Sequence, residues 1–283
     1  MIGLGRFSCN LATACIVAAA LLLADIAQAG ICGDDIGGQD VPCRCGDTVG
    51  SSVVLHDDPI LLGPCPADGL VVHAPERELP MIIDLAGAVV RGAGAGSGIR
   101  VINGGGGVSI VSSRGMAQIE NFRDGVSSRI GDAVDRIENI AVDGSGRDGI
   151  RLSGEFGVIH MVEVRRAGRD GFSLRGTGWL LQQVRAFDNG RFGFNVLGRA
   201  ARLGSSERGP LAAGNGADGF FLMGWGHRLI DCLAANNGRD GIHLSGSGFV
   251  VDGCATNGNL GHPIAGTLRG SRFENIRADG VAQ

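Results

Sequence analysis

Five aspartates each stand directly before a glycine that recurs along the chain: Asp124, Asp148, Asp170, Asp218 and Asp240. A column of carboxylates is the oxygen-rich set that Ca²⁺ takes, so these acids are the first whose type and spacing suggest chemistry. Arginine precedes four of them, at Arg123, Arg147, Arg169 and Arg239. Alternating charge relieves repulsion along such a column, and Asp-Gly is also turn chemistry. The expected role is structural, with no cofactor required and Ca²⁺ as the alternative. A second set shares one slot: Arg151, Ser173, Asn195, Phe221 and His243, flanked by Ser153, Arg175, Leu197, Met223 and Ser245. Arg151 and Arg175 suit bidentate pairing with sugar carboxylates. Asn195 and His243 suit hydroxyls, and Trp225 offers a face on which a sugar ring stacks. The plainer reading is a solvated face. This slot holds no acid, and Asp231 and Asp252, on a neighbouring strand, look like a loose pair. Of the other histidines, His160, His227 and His262 show no spacing that converges on a metal. His227 shares a slot with Trp179 and Phe249, which predicts a core or half-buried imidazole.

The elements that place these residues are repeats. "RDGIRLSG" begins at 147 and "RDGIHLSG" at 239. A glycine followed by an apolar residue recurs at Gly98, Gly125, Gly149, Gly171, Gly193, Gly219 and Gly241, with a base spacing of 22 residues. After each glycine the apolar residues alternate: Ile150 and Leu152, Phe172 and Leu174, Phe194 and Val196, Phe220 and Leu222, Ile242 and Leu244. Period two predicts a short strand with one buried face. Further apolar columns run through Ile159, Leu181, Leu229 and Val251, and through Val162, Val184, Cys232 and Cys254. Asn189-Gly190, Asn215-Gly216 and Asn237-Gly238 form another column, continued by Asn259. Both residue types accept the left-handed conformation that corners require, and stacked Asn side chains can bond along the stack. Each unit is about three short strands and too small to bury its own face, so stacking must supply the core. The predicted fold is all-β, a right-handed parallel β-helix of nine or ten coils, roughly 45 Å long at the inter-strand spacing.

Residues 98–262 resemble the repeats shared by pectate-lyase-like proteins and periplasmic carbohydrate-binding, sugar-hydrolase-like β-helix proteins. "MIIDLAGAVVRGAGAGSGI" (81–99) is similar to the coil that opens such proteins. The resemblance implies that the outward face of the first strand carries any site. Lyases of this fold commonly use an Arg or Lys base with acidic Ca²⁺ ligands. Hydrolysis instead needs two carboxyls at a defined separation. The clustered Asp, His-Gly and Arg-x-Lys motifs of pectin hydrolases are absent, as is the Asp-Pro-His-Glu run of alginate epimerases. Cleft walls in these enzymes come from long loops, and the sizeable excursions here are "GGGG" (104–107) and "RLGSSERGPL" (202–211). A shallow cleft follows.

Composition bounds the rest. Residues 1–29 read as an export leader: Arg6, the apolar run "LATACIVAAALLLA" (11–24), then Ala27-Gln28-Ala29. No later run is apolar enough for a membrane helix. The 51 glycines are roughly two and a half times the usual share and argue against helices. There is no Lys and no Tyr, and the net charge of −4 gives no sign of nucleic-acid binding. Cys32, Cys43, Cys45 and Cys65 crowd residues 30–66, which predicts a disulfide-linked N-terminal cap on a β-helix of residues 67–283. Four cysteines allow three pairings, among which Cys32–Cys43 with Cys45–Cys65 is taken forward, and zinc is the alternative. Cys232 and Cys254, one coil apart, are expected as unpaired core, with a disulfide as alternative. Two functions remain open. The first is an exported, periplasmic or extracellular protein that binds polysaccharide without catalysis. The second is a lyase or epimerase acting on uronic-acid polymers. An uncovered C-terminal end predicts weak self-association.

Overall fold

The computed structural model describes residues 29–74, 80–102, 107–129, 131–132, 134–205 and 208–278. The expected leader up to residue 28, most of the "GGGG" excursion and the last five residues lie outside these. The described chain is a parallel β-helix. Its first sheet contains eleven described strands, all paired in parallel, from Ile31–Cys32 through Ile150–Glu155, Phe172–Thr177, Phe194–Arg199, Phe220–Trp225 and Ile242–Ser247 to Ile264–Gly266. Crossovers between parallel strands are right-handed almost without exception. The remaining strands stack into two further faces, which Arg136–Asp143 and Val158–Arg165 each cross without a break.

The core is a set of columns. Phe172, Phe194 and Phe220 are fully buried and stack face to face, with ring centroids 4.7 and 4.9 Å apart. Offset stacking of this kind adds about 0.5–1.5 kcal/mol per pair to the burial itself. Beside them runs the asparagine column. The Nδ2 of Asn189, Asn215 and Asn237 donates to Oδ1 of the Asn one coil on, at 2.8, 2.9 and 2.8 Å. Each Oδ1 also accepts the preceding Asn's backbone N–H, at 3.2, 3.1 and 3.0 Å. The spare amide hydrogens of Asn215, Asn237 and Asn259 go to the carbonyls of Ala186, Ala212 and Ala234. A buried amide costs nothing when every donor and acceptor is used.

The corners differ from the sequence expectation in one respect. The left-handed residue is not the ladder Asn but the one before it: Asp188 (φ 53°), Gly214 (68°), Asn236 (53°) and Gly258 (60°). The turn is made one residue early, which leaves the Asn extended enough to aim inward. The glycines after Asp124, Asp148, Asp170, Asp218 and Asp240 likewise serve close approach rather than a turn, since none has positive φ. A Cβ on Gly171 would lie 2.7 Å from the Gly193 carbonyl oxygen, 2.8 Å from Asn189 Nδ2 and 3.1 Å from Ala186 Cβ.

Cys32–Cys43 and Cys45–Cys65 are joined, and the segment they staple supplies the first strands of the first sheet. Cys232 and Cys254 are also joined, with Cα atoms 4.4 Å apart, which corrects the expectation of unpaired core. Both point inward from one slot on successive coils, and the spacing between coils falls within disulfide reach.

Phe194→Ala should cost roughly 3–5 kcal/mol. Asn215→Ala leaves two Asn189 donors without an acceptor and should cost about 2–4 kcal/mol. Arg175→Ala, at an exposed position, should stay within about 0.5 kcal/mol of wild type. Urea unfolding of the three variants checks this, and equal costs at Phe194 and Arg175 would contradict the inward and outward faces described.

Candidate functional site

The outward row of the first sheet is in register as the spacing requires: Arg151, Ser173, Asn195, Phe221 and His243 are successive Cα partners. It is not one continuous polar track. Asn195 is buried, with its Nδ2 donating to Asp170 Oδ2 at 2.8 Å. Phe221 stacks between Phe192 (4.9 Å) and His243 (5.3 Å). Trp225 is exposed but belongs to the row Glu155, Thr177, Arg199, Trp225 and Ser247, with the Arg199 guanidinium 5.6 Å from its ring. Four residues along a strand, it sits roughly 13 Å from the Phe221 row.

What the sequence reading kept apart, the structure brings together. The Asp-Gly acids are buried immediately beside the outward row and bond into it, as Asp170 does with Asn195 and Asp240 with His243. Arg147, Arg169, Arg191 and Arg239 reach back to the acid one coil earlier, whereas Arg123 lies 3.7 Å from Asp124 beside it. Arg147 grips Asp124 with Nε at 2.9 Å and Nη2 at 2.5 Å, and Arg191 grips Asp170 at 2.6 and 2.5 Å. Arg169 to Asp148 and Arg239 to Asp218 are looser, at 3.9 and 3.7 Å. Where Phe192 replaces the acid, Ala217 replaces the next coil's arginine. Asp124 and Asp170 are thus held at both oxygens by an arginine of the next coil.

Two adjoining clefts form where Arg151 and Arg175 lie. One, of about 190 Å³, is lined by Arg147, Asp148, Arg151, Arg169, Ser173 and Arg175 among others. The second, of about 550 Å³, shares Ser153 and Arg175 and adds Asp132, Glu155 and three glycines. Arg151 Nη2 is 3.6 Å from Asp124. Arg175 is exposed, and its guanidinium makes no ion pair among the described residues. Burial, followed by the neighbouring Asp170, raises the Asp148 pKa. Asp124 engages two of the four arginines, Arg147 and Arg151, and Asp148 is held towards its neutral form, so Arg169 and Arg175 leave the smaller cleft positive.

The wall that carries Asp132 comes from the turn after Asp124–Ser127, where Asp132 Oδ2 accepts the Arg129 N–H at 2.8 Å. Sequence reading placed the excursions elsewhere. Arg208 and Gly209 of the 202–211 segment instead line a separate cleft of about 150 Å³ with Met116, Met161, Glu163 and Arg185. The only sequence signal for the Asp132 turn is the two-residue excess between Gly125 and Gly149.

The histidines divide clearly. His160 Nδ1 is 3.0 Å from Glu138, whose pKa is lowered first by that bond and then by Arg136. His262 Nδ1 lies 3.4 Å from Asp240. His227 is buried against Phe249, as expected of its slot. Its Nδ1 accepts the Ala201 N–H at 3.1 Å, so the proton is on Nε2, 3.1 Å from the Met223 carbonyl. Burial lowers its pKa. Among the described residues, no helix is long and apolar enough to cross a membrane.

No family model and no curated protein matches the sequence. Among solved structures, the chain aligns with the A-module of the mannuronan C-5 epimerase AlgE4 of Azotobacter vinelandii. The alignment has 13% identity and a TM-score of 0.29, covering 77% of this chain and 90% of that one. A likeness this distant carries nothing about the site.

His227 generates a pH prediction. Its folded pKa lies below the ordinary value of about 6.5, so on acidification the unfolded chain takes up the proton first. Stability should fall as pH drops through 6.5 towards the folded value, by up to about 1.4 kcal/mol per pH unit. In His227→Gln, which can keep both hydrogen bonds, this slope should be absent from urea midpoints taken between pH 7 and 5. Identical slopes would mean that His227 stays charged when folded.

Proposed function

We propose that the chain is an exported rod that binds an acidic polysaccharide, of the polyuronate class, across the paired clefts around Arg175. The observation that carries this reading is the exposed Arg175 guanidinium, which makes no ion pair among the described residues. It shares its cleft with Arg147, Arg151 and Arg169, while Asp124 engages Arg147 and Arg151 and Asp148 faces Arg169. Guanidinium forks match carboxylates in a bidentate way. Arg151 and Arg175 lie one coil and two residues apart, roughly 8 Å between Cα atoms, so both can engage one polymer. Asn195 is too buried to share in this, and His243 and Trp225 lie further along the face. Export through a leader at residues 1–29 belongs to the same reading and is supported by three disulfides. So does weak self-association through the last strand of the first sheet, Ile264–Gly266.

Asp132 and Glu155, which line the larger cleft with Arg175, favour a second reading, a polysaccharide lyase or epimerase. Abstraction of a uronate C5 proton needs a base and a cation on the carboxylate. A carboxylate and Arg175 in one cleft provide both kinds of group.

Affinity for polyuronate oligomers should fall at least tenfold in Arg151→Ala/Arg175→Ala, and wild-type binding should weaken with salt. A neutral glycan should bind less well. Equal affinity in both proteins, or no binding to any acidic glycan, overturns the proposal. Absorbance of unsaturated product, followed on the same oligomers, decides for the lyase form of the second reading if it grows with time.

A further inference from the structure

The far end of the outward row holds a second cluster, separated from the basic clefts by Asn195 and Phe221. Asp218, Asp240 and His243 each offer one donor atom, and these atoms all lie within 4.8 Å of one another. The acids come from the same slot on successive coils, and His243 is three residues after Asp240, so the in-register stack builds the cluster. Asp218 is 1% exposed and Asp240 7%. Asp218 Oδ1 accepts the Asp240 backbone N–H at 3.1 Å, while its Oδ2 has no hydrogen-bond partner among the described residues. A buried carboxylate oxygen without a partner costs about 1–3 kcal/mol or more, and the other acids of the column show how the fold avoids that cost. Asp124 and Asp170 are each gripped at both oxygens by the arginine one coil on. Asp218 has only Arg239, 3.7 Å from Oδ1. Among the described residues Asp240 pairs with no arginine, and Gly261 stands where the next one would. Its Oδ2 is 3.0 Å from His243 Nδ1, and its Oδ1 accepts the His262 N–H at 2.8 Å. Two stacked carboxylates therefore share one distant guanidinium, which leaves the pair short of positive charge.

The imidazole supplies the other half of the argument. With the imidazole neutral and its proton on Nε2, the Nδ1 lone pair faces the two acids, 3.0 Å from Asp240 Oδ2, close to the roughly 3.3 Å that separates two ligands of one tetrahedral ion. We infer that Asp218, Asp240 and His243 form a binding site for a divalent first-row metal ion, with Zn²⁺ the best-suited probe. Imidazole with carboxylate favours such ions. Ca²⁺ takes six to eight oxygens, and a two-acid, one-imidazole set serves it poorly. The site is independent of glycan binding at Arg175, two to three coils away.

The test is calorimetric titration of the purified, untagged chain with ZnCl₂ after chelator treatment, alongside thermal unfolding with and without the ion. One saturable equivalent and a raised midpoint are expected, with Ca²⁺ binding at least tenfold more weakly. Asp218→Asn and His243→Gln should each weaken Zn²⁺ binding at least tenfold. Without metal, Asp218→Asn should unfold at the same temperature as wild type or higher, since it removes a buried charge that lacks a full partner. That readout separates loss of a ligand from loss of fold. If Asp218→Asn fails to fold, His243→Gln decides alone. No saturable Zn²⁺ binding, or binding unchanged in the folded variants, overturns the assignment.

Discussion

Everything on the first sheet depends on one hydrogen bond made repeatedly: an asparagine amide donating to the same amide one coil on. Asn189, Asn215, Asn237 and Asn259 sit at a corner where backbone ladders alone leave slack, and their amides lock each coil to the next. Because each Oδ1 takes both the amide and the backbone N–H of its neighbour, a coil slipped by one residue loses two bonds at once. Glycine is required beside this column because the ladder leaves no volume for a Cβ. The phenylalanine stack, the acid column and the outward row all take their register from that corner. Polar ladders of this type are stable only when complete, and this one is capped at its start by the Ala167 N–H on Asn189 Oδ1.

Charge follows the same rule of strict neighbours. From Arg147 to Arg239 each arginine of the column faces the acid one coil back, and at Phe192 and Ala217 the acid and its arginine are lost together. The clefts around Arg175 and the cluster around Asp240 are the two places where this pairing is out of balance. One has a cation to spare and the other an acid. A repetitive scaffold makes such departures conspicuous, since every other coil shows what the paired state looks like.

The repeat was legible because period two and a spacing of 22 residues survive in sequence, and Phe172, Phe194 and Phe220 state the buried face outright. The site was less legible for a physical reason. Alternation tells which way a Cβ leaves the strand, but not where a long side chain ends. Asp170 and Asp240 stand three residues before the outward slot, off the alternating pattern, yet their carboxylates bond into it. Asn195 looked like a free amide and proves buried under that contact. Asp132 lies in a turn that breaks the period, so no column announces it. Cys232 and Cys254 were read correctly as inward and stacked, but an inward stack of two thiols at 4.4 Å between Cα atoms is also a disulfide geometry, and spacing does not separate the two states.

The ladder has one more consequence, for how such a chain can change length. Asn215 and Asn237 present nearly the same donors and acceptors to their neighbours as Asn237 and Asn259 do. A duplicated block of 22 residues inserted between them would meet familiar surfaces above and below, and would lengthen the rod by one coil without disturbing any face. A single inserted residue within a strand would do the opposite, because it reverses inside and outside for the rest of that strand. The molecule is thus tolerant of large additions in whole units and intolerant of small ones. "RDGIRLSG" and "RDGIHLSG" look like two copies of one such unit.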